Sequence, residues 1–330
     1  MPRMSPGRQR LFLVLKTVLT LLLIGFVAWK FVGDLRSPDL AHRTAFRVEY
    51  LIPAGLLYLL CHTLWGTFWW QLLRGQGVEV TWFTGVRAYF VSQIGKYVPG
   101  KAWVLILRIG LLRSEKTRPT VVVVTGLYET LTNMAAGAVL GVALLPWSGL
   151  ADRLNDLQRY GLFGLTLMPL ALLGLNRLVR RVAAKYRGPD AAPIPVPSIR
   201  LLARGMLQAC VGWALLGLSL WLTACGLSAD PPPLTGETYL HSLSGVCIAY
   251  VIGFVVLFSP AGAGAREWVL QEVLTRQMDG VAGANVVATA IAVGLRALWT
   301  VFEFVCIAVL WFITPHSRRG GGGSDNEGTT

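Results

Sequence analysis

Ser259-Pro260-Ala261-Gly262-Ala263-Gly264-Ala265-Arg266-Glu267 follows a long apolar run, 240–258, and precedes a shorter amphipathic one, 268–276. A proline followed by two spaced glycines breaks a helix. In a hydrophobic chain the break leaves backbone N–H and C=O groups unpaired, and hydrocarbon tolerates them only where protein or water covers them. A helix restarting near Gly262 points free N–H groups and the positive end of its dipole into the break, with Arg266 inside one turn. At membrane depth such a broken helix makes an anion-binding site. The plain alternative is a Gly- and Ala-rich loop at the bilayer surface.

Composition bounds what surrounds this stretch. The chain has 330 residues, of which 54% are hydrophobic and only 14% charged. Several runs approach or exceed the roughly 20 apolar residues that cross a bilayer core. These features predict an all-α fold, a polytopic transmembrane helical bundle. No polar stretch is long enough to build a separate soluble core. Residues 1–315 therefore read as a single integral membrane domain, and the Gly-rich, acidic 316–330 as a disordered tail. The net charge of +13, from 30 basic and 17 acidic residues, would suit a nucleic-acid binder if it lay on one soluble face. It is spread over alternate loops instead, as membrane topology demands, so no nucleic-acid partner is expected. The five cysteines, Cys61, Cys210, Cys225, Cys247 and Cys306, lack paired spacing and read as small core residues. His62 and His241 have no second ligand nearby and read as packed or hydrogen-bonded. No metal and no cofactor is expected.

Arg3, Arg8 and Arg10 place the amino terminus on the cytoplasmic side of the cell membrane. A first span is expected over 11–32, too long for a signal-peptide core and without a small-residue cleavage site. A second covers 50–73, with Trp65, Trp69 and Trp70 marking an interface. Residues 74–118 hold eight Lys/Arg and two Glu, which places them inside. Within them 88–98 and 102–112 are two short apolar stretches separated by Pro99-Gly100-Lys101, a pattern that fits a re-entrant hairpin or two interfacial helices. Spans three and four are expected over 120–146 and 160–179. A basic, Pro-rich linker, 180–204, divides two halves of about 10–179 and 205–313. Span five covers 205–226, and the last span 281–313. Arg318 and Arg319 then favour a cytoplasmic carboxyl terminus. Whether 239–259 spans or is re-entrant stays open at this level, and with it the side of that terminus.

The two interruptions match each other. Ala88-Tyr89 precedes Pro99, and Ala249-Tyr250 precedes Pro260, at an offset of 161 in both. An odd number of spans separates them, so they enter the membrane from opposite sides. That is the inverted-repeat pattern of secondary transporters, whose site lies where the broken elements meet.

The run Gly95-Lys96-Tyr97-Val98-Pro99-Gly100-Lys101, with Arg108 and then Glu129, resembles the flippase-like transmembrane region of the lysylphosphatidylglycerol synthase family. Pro260-Ala261-Gly262-Ala263-Gly264-Ala265-Arg266-Glu267 resembles that family's second hallmark, a Pro-x-Gly-x-Gly-x-x-Glu turn. The likeness extends over most of 10–315, without the soluble aminoacyl-transferase domain. Ala102-Trp103 departs from the commoner small-residue pattern after the first turn. The resemblance implies a flippase for a phosphate-bearing lipid with a polar headgroup, a polyprenyl-phosphate sugar or a modified phospholipid, and no enzyme. Its implied partners are membrane lipids and a membrane glycosyltransferase or synthase.

Charges at bilayer depth cost about 2.5–3.5 kcal/mol each on insertion scales, so those retained need a reason. An anionic lipid phosphate suits Lys101, Arg108, Arg266 and the N–H groups around Gly262 and Gly264, since arginine matches phosphate geometry. Glu129 and Glu303 are expected to hold those arginines in place when no lipid is bound, or to accept a proton in a coupled cycle, and Glu267 beside Arg266 joins the candidate substrate-binding residues. Arg296 and Glu303, seven residues apart on one span, share a face but form no close pair, so each turns to another partner. Pro99, Gly100 and Pro260 form the breaks. Lys96 and Arg113 read as interfacial anchors. The blander alternative for every pair is a salt bridge that only locks the bundle. Two other functions compete: an integral-membrane glycosyltransferase-type enzyme, and a non-catalytic partner of a lipid or glycan synthase. His241 with Ser244 hints weakly at a serine hydrolase.

Overall fold

The computed structural model describes residues 40–97, 103–113, 117–148, 164, 167–185, 196–233, 235–255, 264–278 and 283–313. The expected first span, both Pro/Gly turns with Lys101 and Gly262, and the tail lie outside them. The described residues form helices and turns joined by one isolated bridge, Thr44 to Ser228.

After a short helical turn, Leu40–Arg43, come α1, Val48–Arg74; α2, Trp82–Ser92; and a 3-10 turn, Gln93–Tyr97. Then follow α3, Trp103–Leu111; α4, Pro119–Ala143; and α5, Met168–Lys185. The chain continues with α6, Ile199–Leu227; α7, Gly236–Val255; α8, Ala265–Gln277; and α9, Ala284–Phe312. Local chemistry sets several starts. Thr81 accepts the Thr84 N–H at 3.2 Å ahead of α2, and Pro119 begins α4, where its missing N–H costs no helical bond. Ser198 accepts the Leu201 N–H at 3.2 Å, so α6 begins at Ile199. This corrects the expected 180–204 linker at both ends, because α5 also runs on to Lys185 through an Arg-, Ala- and Lys-rich stretch of good helix formers.

The packing repeats. Helix α1 meets α2, α2 meets α3, α3 meets α4 and α1 meets α4; in the same way α6 meets α7, α7 meets α8, α8 meets α9 and α6 meets α9. The contacts between units match too: α4 lies on α6 and α7, as α9 lies on α1 and α2. Helix α5, packed on α4, stands outside the repeat.

The two leading helices, α1 and α6, form the most extensive interface of the fold and run antiparallel. At one end Arg47 donates to the carbonyls of Cys225 (3.3 Å) and Ala229 (3.0 Å). In the middle Ser219 Oγ donates to the Ala54 carbonyl at 2.8 Å. Near the other end Gly205 lies against Phe68, and Gly75 against Leu201. Equivalent helices that pass each other in opposite directions make the two units inverted copies.

Close approach here depends on glycine. A Cβ on Gly205 would fall 2.1 Å from the Phe68 ring, and one on Gly212 2.3 Å from Trp65 Nε1. The core between the units is aromatic: Tyr58, Trp65, Trp69, Tyr89, Trp213 and Trp299 are all buried. Trp65 and Trp69 are therefore not the interface markers expected: Trp65 packs on Trp213 of α6, and Trp69 on Tyr89 of α2 with its Nε1 donating to Thr125 of α4.

Among the described residues, three helices, α1, α6 and α9, are long and apolar enough to cross a membrane. Ile52, Leu56 and Leu60 on α1, and Val301, Val305 and Val309 on α9, form exposed apolar stripes at four-residue spacing. Stripes of that kind suit hydrocarbon rather than water.

Candidate functional site

Two groups of charges lie inside the helices. The first is closed. Arg108 on α3 donates from Nη1 to Glu129 Oε2 at 3.1 Å and from Nε to Ser92 Oγ at 3.3 Å. Its guanidinium carbon lies 4.4 Å from the Trp69 ring centre and 4.6 Å from that of Tyr89. Glu129 accepts further hydrogen bonds from Asn133 Nδ2 (2.7 Å), Tyr89 OH (3.4 Å) and Thr130 Oγ1 (3.4 Å). Both charged side chains are buried, and their formal charges cancel.

The second group joins both interrupted elements to α9. The 3-10 turn after α2 tightens the chain just before the first break, and Lys96 and Tyr97 sit on it. Lys96 Nζ donates to Glu303 Oε2 at 2.5 Å, and the same oxygen accepts from Tyr58 OH (2.9 Å) and Tyr97 OH (3.2 Å). The other oxygen, Oε1, is buried with no hydrogen-bond partner among the described residues. Lys96 is thus not the interfacial anchor expected. A buried carboxylate on α9 is stable only with a cation beside it, and this turn supplies one. Arg113 is exposed.

From the second break comes Gly264, with φ +87°, a backbone region that favours glycine. Helix α8 begins one residue later, and Glu267 in its first turn reaches back to accept the Gly264 N–H at 2.7 Å. The helix restarts at Ala265 rather than near Gly262, and the Gly264 N–H is occupied rather than free. The other oxygen of Glu267 takes both Arg266 Nη2, at 3.1 Å, and Arg296 Nη1 from α9. Arg266 stacks on Tyr250 of α7, 4.1 Å from its ring centre. Arg296 and Glu303 stand two turns apart on α9, and Trp299 between them packs on both Tyr58 (5.0 Å) and Tyr250 (5.7 Å), which joins the two salt-bridged sets into one cluster.

Three cations, Lys96, Arg266 and Arg296, thus face two carboxylates, Glu267 and Glu303. Exposure is divided unequally. The Lys96 and Arg296 side chains are 27% exposed and Arg266 16%, against 7% for Glu267 and 1% for Glu303. Surplus positive charge therefore stands on the accessible side, over buried negative charge. The arrangement can accept an anion: two guanidinium groups and a helix N-terminus already hold one carboxylate oxygen pair as they would hold two oxygens of a phosphate.

Of the residues proposed from sequence, Gly264, Arg266, Glu267, Arg296 and Glu303 come together here. Arg108 and Glu129 form the separate closed pair, so the two arginines, one after each break, do not share a cavity. As the spacing of Arg296 and Glu303 required, each turns to a different partner. Lys96, Tyr58, Tyr97 and Tyr250 were missed as site residues. The signal for Tyr250 was available, since it belongs to the repeated Ala-Tyr pair. His62 is buried, its Nδ1 3.0 Å from the Tyr58 carbonyl oxygen and its ring against Tyr58. Ser244 Oγ donates to the backbone carbonyl of His241 at 3.2 Å, a contact that activates no nucleophile.

A search of curated proteins finds no match to this chain. The family model described as the lysylphosphatidylglycerol synthase TM region matches residues 13–303, a stretch that contains both breaks, both charged groups and the whole inverted repeat up to Glu303. With most of its length matched, and with an all-helical fold of apolar segments that suits a membrane region, the chain belongs to the lysylphosphatidylglycerol synthase transmembrane-region family.

Proposed function

We infer that the protein is a lipid flippase, which moves a phosphate-bearing lipid with a polar headgroup across the cell membrane. A polyprenyl-phosphate sugar and a modified phospholipid both fit. The observation that carries this reading is the surplus cation of the Lys96, Arg266 and Arg296 cluster, placed where the two interrupted elements and α9 converge. In a membrane, three cations over two carboxylates are costly unless an anion completes them. A lipid phosphate would displace Glu267 from Arg266 and Arg296 while Lys96 stays neutralised by Glu303. The headgroup would follow the polar interior, and the tails would remain in hydrocarbon beside the apolar stripes of α1 and α9.

Membership of the family supports a membrane protein of lipid metabolism or transport, and the cluster supports the narrower reading. In the proposed orientation both termini face the cytoplasm, and a membrane synthase or glycosyltransferase supplies the lipid.

The test is transport in proteoliposomes, with fluorescent phosphatidylglycerol and a fluorescent polyprenyl phosphate as probes. Wild-type protein is expected to carry at least one across the bilayer, and Arg266→Ala to lose that activity while keeping its melting profile. Normal transport by a well-folded Arg266→Ala protein would remove Arg266 from the site, and with it this reading.

A further inference from the structure

The closed Arg108–Glu129 pair is unused by the site described above, yet its surroundings repeat those of Arg266. In one unit the guanidinium of Arg108, on the helix after the break, lies over Tyr89, on the helix before it. In the other, Arg266 lies over Tyr250 in the same relation. Each arginine also binds a carboxylate, Glu129 or Glu267. The tyrosines are 161 residues apart and the arginines 158 (250 minus 89, and 266 minus 108). The carboxylates come from different helices of the two units, Glu129 from α4 and Glu267 from α8, so the repeated feature is the Tyr–Arg pair. Because the units are inverted copies, the two pairs point toward opposite sides of the fold. They differ in access: the Arg108 side chain is 3% exposed and that of Arg266 16%.

We propose that Tyr89, Arg108 and Glu129 form a second lipid-phosphate site, the inverted counterpart of the Arg266 cluster, closed in this conformation and opened to the other leaflet when the two units exchange their arrangements. The inference rests on the flippase reading and extends it. In a protein of two inverted units, exchanging the conformations of the units turns an inward-facing site into an outward-facing one. Glu129 holds the place of the phosphate in the closed site, as Glu267 does in the partly open one. Aromatic rings stabilise any buried guanidinium; what points beyond a structural lock is that the same tyrosine contact recurs in both units.

The experiment compares two variants of the closed pair with Arg266→Ala in the proteoliposome assay, with fluorescent phosphatidylglycerol and fluorescent polyprenyl phosphate as probes. Arg108→Met with Glu129→Leu replaces the pair by apolar side chains of similar size, a change that buried structural ion pairs commonly survive. Arg108→Lys keeps the charge beside Glu129 but removes the planar fork that grips phosphate. Both are expected to melt like wild type and to transport about tenfold or more slowly, because misplaced binding groups cost factors of that order. Wild-type transport by the folded double variant would show the pair to be a lock and overturn the proposal. Should the double variant fail to fold, Arg108→Lys decides alone: slow transport supports the second site, and normal transport overturns it. Arg266→Ala separates this proposal from the one beneath it. Loss of transport in Arg266→Ala with normal rates in the Arg108 variants sinks only the second site. Normal rates in Arg266→Ala, or no transport of either probe by wild type, sink the flippase reading itself.

Discussion

Glu303 and Lys96 differ in what they lose when separated. The carboxylate is 1% exposed and sits among Tyr58, Tyr97 and the lysine, whereas the lysine can still reach water. Lys96→Met therefore strands a buried charge, at a cost of about 3–5 kcal/mol. Glu303→Gln leaves two tyrosine hydroxyls a carbonyl to donate to, and frees a lysine that can turn outward. The melting temperature in detergent is expected to fall further for Lys96→Met than for Glu303→Gln. The reverse order would mean that the lysine, not the carboxylate, is the trapped charge. Gly264 makes a second prediction at this scale. Its φ of +87° and ψ of −57° suit only glycine, and its N–H anchors Glu267. Gly264→Ala is expected to cost about 1–3 kcal/mol in the same melting measurement. It should also slow transport, because Glu267 and with it Arg266 and Arg296 lose their fixed position.

At the scale of the element, the α1–α6 crossing determines the relation between the two units. Glycines let the helices approach until Trp65 and Phe68 rest on backbone. Gly212→Leu would push the Trp65 ring outward and is expected to destabilise by about 1–3 kcal/mol or more, the range for overpacked cores. Thermal unfolding followed by tryptophan fluorescence reads this directly; an unchanged midpoint would mean the crossing is loose. The helices themselves were legible in the sequence, because apolar length and Pro/Gly interruptions mark elements plainly. Expected bounds such as 50–73 and 281–313 differ from Val48–Arg74 and Ala284–Phe312 by a few residues. Orientation around each helix was not legible. Trp65 and Trp69 have the composition of an interface belt, and only the packing of α1, against α6 at Trp65 and against α2, α3 and α4 at Trp69, shows that they face inward. Lys96 lies beside a break, where an anchoring lysine is common, and the 3-10 turn that aims it at Glu303 has no sequence marker. The mispairing of Arg108 and Arg266 has the same origin: spacing shows that charges lie near breaks, but not which ones meet.

The whole molecule reads as two inverted units bound by an aromatic core, with apolar stripes outside and charge within. The repeated Ala-Tyr pair, slight as a sequence signal, marks the two residues that carry the arginines. Its physical content appears only when each ring is seen under its guanidinium. The central claim is that the Lys96, Arg266 and Arg296 cluster holds a lipid phosphate. The most direct measurement is a structure of the protein in lipid nanodiscs containing its phosphate-bearing lipid. The phosphate is expected within hydrogen-bond distance of Arg266 and Arg296, where the Glu267 carboxylate now lies, with Glu267 moved aside and Lys96 still on Glu303. A phosphate bound elsewhere, with the Arg266–Glu267–Arg296 bridge intact, would contradict it.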